Sequence, residues 1–330
     1  IYYLKKEMPL LEENHILGFD EIEVSQKDAK CQLAEKWVEK TVTDSELQVS
    51  EDDTQIHIKG REFAYTIDRR TALFTEMKFA GREYLNHPME LNIWRAPTDN
   101  DMYIKSEWKK AHYDKAYTRA YTTEVVQGKH GVKITSHASV VAETVQKILD
   151  VTITWKIEAA GKIDADIAVT KDDEFPDLPR FGVRMFLDKK LSAARYFGMG
   201  PQESYCDKHQ AASHGLYHAN VDDLHEDYIR PQENGSHYDC EYVELNNSRY
   251  GIVASAEKAF SFNASYYTQE ELEKKTHNYE LIESDSVVFC VDYALNGIGS
   301  NSCGPVVLDQ YRFDDVLFRF QFTLVPYVKG

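Results

Sequence analysis

The stretch Trp94-Arg95-Ala96-Pro97-Thr98-Asp99-Asn100-Asp101 belongs neither in a helix nor in a strand interior. Pro97 fixes its own φ and pushes Ala96 towards an extended conformation. Asp99, Asn100 and Asp101 offer three consecutive short side chains that bond back to nearby main chain, so a tightly structured loop is predicted. Trp94 and Arg95 lead into that loop and anchor it.

On either side of the loop the periodicity is that of strands. Val151, Ile153, Trp155 and Ile157 alternate with Thr152, Thr154, Lys156 and Glu158, a half-buried strand with one wet face. Ala159-Ala160-Gly161 turns the chain, and Ile163, Ala165, Ile167 and Val169 return with the same alternation. Phe181 to Leu187, Val287 to Tyr293 and Val316 to Leu324 repeat the pattern. Helical signals are few. Thr268-x-x-Glu271 reads as a capping box opening a short helix through Lys275, and residues 106–115 offer a second. The fold class is therefore all-β, a large antiparallel sandwich with few short helices.

Composition bounds the function. The chain has 330 residues, 42% of them hydrophobic, enough for a substantial core. A formal charge of −17 argues against nucleic acid or an anionic membrane surface as partner, since both demand a basic footprint. No apolar run is long enough to span a bilayer, and the first residues lack a signal-peptide core. The five cysteines are scattered, with no CxxC pair, and read as reduced thiols in a cytoplasmic chain, a periplasmic parent being the alternative. The chain begins with Ile1 rather than Met, as an excised piece would. Aromatic residues make up 12% and include 21 tyrosines, which suits sugar surfaces and β-cores equally.

Four further segments accompany the first. They are Gly198-Met-Gly-Pro-Gln-Glu203-Ser-Tyr-Cys-Asp207, Tyr228-Ile-Arg230-Pro-Gln-Glu233-Asn234-Gly235, Thr276-His277, and Gly297-Ile-Gly-Ser-Asn301-Ser302-Cys303-Gly-Pro305. Together with the loop at 94–101, and in the same order, they resemble signatures of the C-terminal small-chain region of bacterial β-galactosidases in glycoside hydrolase family two. The resemblance implies a galactose mutarotase-like super-sandwich over residues 43–330. It implies that residues 1–42 are the remnant of a preceding immunoglobulin-like domain plus linker, with an acidic linker around residues 41–53. It also implies that the catalytic glutamates lie on a (β/α)₈ barrel absent from this chain, either upstream or on a separate large chain.

Glu203 and Glu233 would otherwise be the natural candidates for the two carboxyl groups, about 5–5.5 Å apart, that a retaining glycosidase needs. Here they are read as loop-structuring residues with Trp94, Arg95, Arg230 and Asn234, and no catalytic residue is assigned. The resemblance places Asp99, Asn100, Asp101 and the loop after them at the rim of a sugar pocket, with Tyr103 and Trp108 as rings that either stack on a sugar or pack on the sandwich. Asn301, Ser302 and Cys303 form the second rim loop. Cys303 stands where many family members carry a tryptophan platform, and a thiol offers far less surface than an indole.

Five histidines lie between 209 and 237, and His214-x-x-x-His218 would put two imidazoles on one face if helical. Gly215 inside that spacing and the lack of a third ligand argue against a metal, so none is assigned. Gly198-x-Gly200, followed directly by Pro201, is not a phosphate loop.

The expectation is a domain that completes the galactoside pocket of a retaining β-galactosidase acting on lactose-like β-galactosides. Its partners would be the catalytic barrel or large chain and the galactoside, in an oligomer when intact. No cofactor is expected in this chain; Mg or Na would belong to the intact enzyme. One alternative is a stand-alone sugar-binding or aldose-epimerase-like protein, for which His277 and a nearby carboxylate form the one acid–base pair to nominate. The other is a purely structural module.

Overall fold

A computed structural model describes residues 1–22, 47–145 and 147–329. Cys31, Val24 and the first part of the expected linker lie outside the described residues. The chain divides into two compact units, Ile1–Lys30 and Cys31–Gly330.

In the first unit β1 (Tyr2–Tyr3) pairs antiparallel with β2 (Ile16–Gly18). The Leu4 N–H donates to the His15 carbonyl at 2.8 Å and extends the pairing. Ile1, Tyr2, Tyr3, Leu17 and Ile22 stay exposed. Among the described residues this unit has two short strands, too few by themselves to bury an apolar face.

The second unit opens with a five-stranded antiparallel meander. Its strands are β3 (Gln48–Glu51), β4 (Gln55–Lys59), β5 (Phe63–Asp68), β6 (Leu73–Phe79) and β7 (Arg82–Glu83). Residues 48–51 are thus an edge strand and not linker. Asp52 turns that first hairpin: one of its carboxylate oxygens accepts the Thr54 and Gln55 N–H groups at 2.7 and 2.8 Å. Those donors hold its carboxyl down to about 2.

There follow β8 (Leu85–Asn92), α1 (Ile104–Lys110), β9 (Tyr117–Gln127), β10 (Gly131–Val141), β11 (Leu149–Glu158), β12 (Ile163–Lys171) and β13 (Arg180–Asp188). The chain continues through β14 (Ala193–Gly200), β15 (Ser213–Asn220), β16 (Ser236–Asn246), β17 (Tyr250–Ser265), α2 (Gln269–Lys274), β18 (Ser286–Leu295) and β19 (Leu317–Val328). The strands from β8 onward form one 12-stranded antiparallel sheet in the order β15-β14-β16-β17-β19-β12-β11-β10-β9. A branch runs from β17 through β18 and β13 to β8. Every strand anticipated from alternation is present, and the fold is the expected all-β sandwich.

The sheet forks because β17 is long. Its first six residues pair with β19, Tyr250 opposite Val328 through Ser255 opposite Thr323. Its last five pair with β18, Ser261 opposite Asp292 through Ser265 opposite Val288. Ala256–Phe260 span the gap between the two ladders.

The meander lies over the middle of the large sheet. Trp155 on β11 is wholly buried, donates its indole N–H to the Ala72 carbonyl at 2.8 Å and meets Phe74 edge-on at 4.9 Å. Tyr65 donates to the Gly161 carbonyl at 2.7 Å, and Gly161 turns with φ +88 where a side chain would press on Phe63 and Phe79.

Helix detail departs from expectation in two places. Residues 106–115 are not one helix: α1 ends at Lys110 because His112 is left-handed (φ 58), and a 3₁₀ turn follows at Tyr113–Lys115. In α2 the Thr268 hydroxyl caps the Glu271 N–H at 3.1 Å, but the Glu271 carboxylate is engaged by the Ile282 N–H at 2.9 Å instead of reaching back.

Trp155→Ala removes the largest side chain tying the two layers together. It should lower unfolding free energy by about 3–5 kcal/mol in chemical denaturation, whereas a surface change such as Lys156→Ala should do almost nothing.

Candidate functional site

Four of the five sequence segments singled out lie far apart along the chain, yet they are knitted together by hydrogen bonds at the ends of β8, β14, β16 and β18. At the centre is Arg95, wholly buried. Its Nε and Nη2 reach the Asp101 carboxylate at 3.1 and 2.7 Å, a two-point contact within one loop. Its remaining donors go to the carbonyls of Asn296 and of Gly297, the latter at 3.1 Å. Asp101 in turn accepts the Thr98 N–H at 2.9 Å and the Thr98 hydroxyl at 3.2 Å. Burial disfavours the Arg95 charge, and Asp101 beside it more than compensates, so its pKa is raised.

A second buried arginine completes the network. Arg180 sits at the start of β13 and grips Asp292 on β18 at 3.2 and 2.7 Å and Glu233 at 2.8 Å. The other Glu233 oxygen accepts the Ala96 N–H at 3.3 Å, and the Glu233 N–H donates to the Ala96 carbonyl at 3.0 Å. The loop at 94–101 is thereby fastened to the loop at 230–235.

Asn100 and Asp207 hold the third loop. The Asn100 amide donates to the Gly299 carbonyl at 2.7 Å and its oxygen accepts the Ser302 N–H at 3.3 Å. Asp207 accepts the Ile298 and Gly299 N–H groups at 2.9 and 2.7 Å. Glu203 collects Gly235 N–H at 2.9 Å, the Tyr205 hydroxyl at 3.2 Å, and the Tyr228 hydroxyl and Lys208 ammonium. Asn234 accepts the Glu226 N–H at 3.0 Å and donates to the Gln232 carbonyl at 2.9 Å.

Two glycines are explained by this crowding. A side chain at Gly198 would meet the Cys240 sulfur at 2.2 Å, and Gly235 has φ +70 with the Leu224 carbonyl 2.3 Å from where a Cβ would stand. Gly198-x-Gly200 is the end of a strand, β14, and not a loop.

Beside this lattice opens a cleft of about 640 Å³, lined by Asn100, Asp101, Tyr103, Asn301, Val306 and Arg312 among others. Tyr103 is 61% exposed there. Of the rim residues expected from sequence, Asn100, Asp101, Tyr103 and Asn301 line the cleft; Asp99, Ser302 and Cys303 do not. Asp99 meets Gln232 instead: its N–H donates to the Gln232 side-chain oxygen at 3.1 Å. Cys303 is an exposed thiol in the 300–304 turn.

Of the two readings open for Trp108, packing is the one found, and it does not line the cleft: it is wholly buried, donates to the Asp177 carbonyl at 2.9 Å and carries the Arg95 guanidinium 5.3 Å over its ring. Arg230 structures its loop through its carbonyl, which accepts from Gln232 at 3.2 Å, while its side chain is exposed. Trp94 is buried as an anchor should be, with Lys109 4.7 Å over its ring. Sequence reasoning missed Arg180 and Asp292, which stand alone in apolar strands with no motif around them.

The histidines do not gather. His214 and His218 lie on β15, where a four-residue separation along a strand spans about 13 Å. Among the described residues no group of three His, Cys, Asp or Glu could hold a metal. His277 sits on an exposed turn, stacked on Tyr279 at 5.2 Å and 3.7 Å from Glu280. Cys206, Cys240, Cys290 and Cys303 are free thiols. Burial pushes those of Cys206 and Cys290 up to about 11, so neither is a ready nucleophile. No helix among the described residues is long and apolar enough to cross a membrane.

The family model described as Beta galactosidase small chain matches residues 59–324. The chain belongs to the β-galactosidase small-chain family. It is 43% identical over 324 residues to a β-galactosidase of Actinobacillus pleuropneumoniae, covering 98% of this chain and 31% of that protein. A β-galactosidase of Staphylococcus xylosus is 31% identical over 98% of this chain and 32% of its own length. One from Kluyveromyces lactis is 28% identical, covering 97% and 31%. The chain thus spans about a third of the length of the curated relatives it matches. A galactose 1-epimerase from Lactobacillus acidophilus NCFM superposes on 87% of this chain and 99% of its own with a TM-score of 0.47 and 8% identity, a likeness too slight to say more of this small chain.

Two outcomes test the lattice. Arg95→Met leaves Asp101 buried without its cation and should cost about 3–5 kcal/mol of stability in chemical denaturation, part of which Arg95→Met/Asp101→Leu should restore. His237 is buried between Tyr196 and Phe262, with Nδ1 3.2 Å from the Met199 carbonyl. Burial lowers its pKa to about 4. Because the folded state refuses the proton that the unfolded chain takes up, this group's stabilisation is present above pH ~6.5 and is lost as pH falls towards ~4. His237→Phe should flatten that acid limb, by up to about 3 kcal/mol, in denaturation curves taken across this range.

Proposed function

We propose that this small chain supplies one wall of the galactoside pocket of a retaining β-galactosidase whose catalytic carboxylates lie on a (β/α)₈ barrel outside this sequence. The observation that carries the reading is the cleft beside the Arg95–Asp101 lattice, where Tyr103 stands exposed on a loop whose neighbours are fixed on every side. A ring and two carboxamides, Asn100 and Asn301, held on rigid loops are suited to meet a sugar's C–H face and hydroxyls. Glu203 and Glu233 are committed to loop contacts, which agrees with catalysis residing elsewhere.

In this reading terminal β-galactosides such as lactose are the substrate, and the partner is the barrel on the same polypeptide or on a large chain, in an oligomeric cytoplasmic enzyme. Residues 1–42 are the remnant of an immunoglobulin-like domain, whose missing strands would cover the exposed apolar side of β1 and β2. We assign no cofactor to this chain; Mg or Na would belong to the intact enzyme. His277, on its exposed turn beside Glu280, does not favour the epimerase reading.

Hydrolysis of a chromogenic β-galactoside by the chain alone, and after mixing with the barrel-bearing remainder, tests the proposal. Activity is expected only in the mixture. Tyr103→Ala should then raise KM about three- to tenfold with a smaller effect on kcat, as lost ring contact does. Turnover by the chain alone would overturn the reading.

A further inference from the structure

The fork in the large sheet produces a groove that the galactoside reading does not use. Beyond Asp292, β18 has no pairing with β17; before Thr323, β19 has none either. The two strands diverge, β18 following β13 and β19 following β12. Between them lies a cavity of about 750 Å³, with Leu295, Phe313 and Phe320 buried in its floor and Tyr238, Tyr293 and Tyr311 in its walls. A volume of this order suits a ligand of two or more sugar rings.

The groove continues. A second cavity of about 230 Å³ shares Glu257 and Gln321 with the first and runs on past Asp164, Asp166 and Thr323. The path is therefore elongated, following β19 from Arg319 to Thr323 across the face it shares with β12.

Two of its arginines are already paired. Arg319 is paired with Asp166 and Arg312 with Asp177, the latter at 2.7 and 3.0 Å. On the rim Lys258 stands with Glu257 and Asp315. Ion-paired groups of this kind offer hydrogen-bond donors and acceptors without a net field, which suits an uncharged polyhydroxyl ligand better than an anion. The strand edges facing the groove add backbone N–H and C=O groups that hydroxyls can engage.

We infer that this groove binds a neutral oligosaccharide, laid along β19 with its ring faces on the tyrosine wall and its hydroxyls on Gln321 and the paired arginines. The inference stands independently of the barrel partnership, since it concerns binding by this chain alone.

Titration of the full chain with β-1,4-galactotetraose, followed by calorimetry and by NMR shifts, tests it. Saturable binding is expected, weakened about tenfold by Tyr311→Ala, which removes roughly one ring contact. Gln321→Ala, at an exposed side chain, should weaken it several-fold without touching the fold, and Lys133→Ala, exposed on β10 and in neither cleft, should leave it unchanged. Three results would overturn the inference. One is no saturable binding. Another is binding lost in Tyr103→Ala yet intact in Gln321→Ala, which places the sugar in the other cleft. The third is tighter binding of a uronic-acid tetramer than of the neutral one.

Discussion

The buried contact between Arg95 and Asp101 is what the loop end of this domain depends on. A guanidinium removed from water is tolerable only when its donors are met by charge and carbonyl oxygens in good geometry. Arg95 is met on one side by Asp101 of its own loop and on the other by two main-chain carbonyls at the exit of β18. That requirement locks loops whose sequences lie about two hundred residues apart. Arg180 repeats the logic one layer deeper, and Glu233 links the two arginines through the Ala96 backbone. Charge satisfaction at this end of the sandwich has a mechanical result: loops that would otherwise wander present one fixed surface.

The same constraint explains why some residues of the loop face the cleft and others do not. Asp101 lines the cleft but is consumed by Arg95, whereas Tyr103 lies just beyond the clamp and is free to meet a ligand. Trp108 carries the guanidinium over its ring and so belongs to the support. Motif membership alone does not separate structural from contact residues. The separation follows from which polar atoms are already taken.

Much of the architecture was legible in the sequence because strand alternation is a local signal. The runs at 151–157 and 163–169 predict β11 and β12, and the Ala-Ala-Gly turn between them appears with Gly161 in a left-handed conformation. The end of α1 was not legible, since it depends on one left-handed histidine that local propensity does not demand. Nor was the edge strand at 48–51: a short polar segment reads as linker until its partner, β4, is known. Motifs carried the site as far as the loops themselves. Arg180 and Asp292 escaped because a buried ion pair between two strands is a non-local fact with no signature in either strand.

The place of β19 has a consequence for how the chain is made. It lies between β17 and β12 in the middle of the sheet, although it is the last strand in sequence among the described residues. Until it is delivered by the ribosome, β12 and the first half of β17 present long unpaired edges rich in apolar residues. Nascent chains that stall or are cut short of β19 would expose both edges at once, the condition in which strands find partners on other molecules. For a sandwich closed at β19, synthesis through that strand is a solubility requirement as much as a structural one.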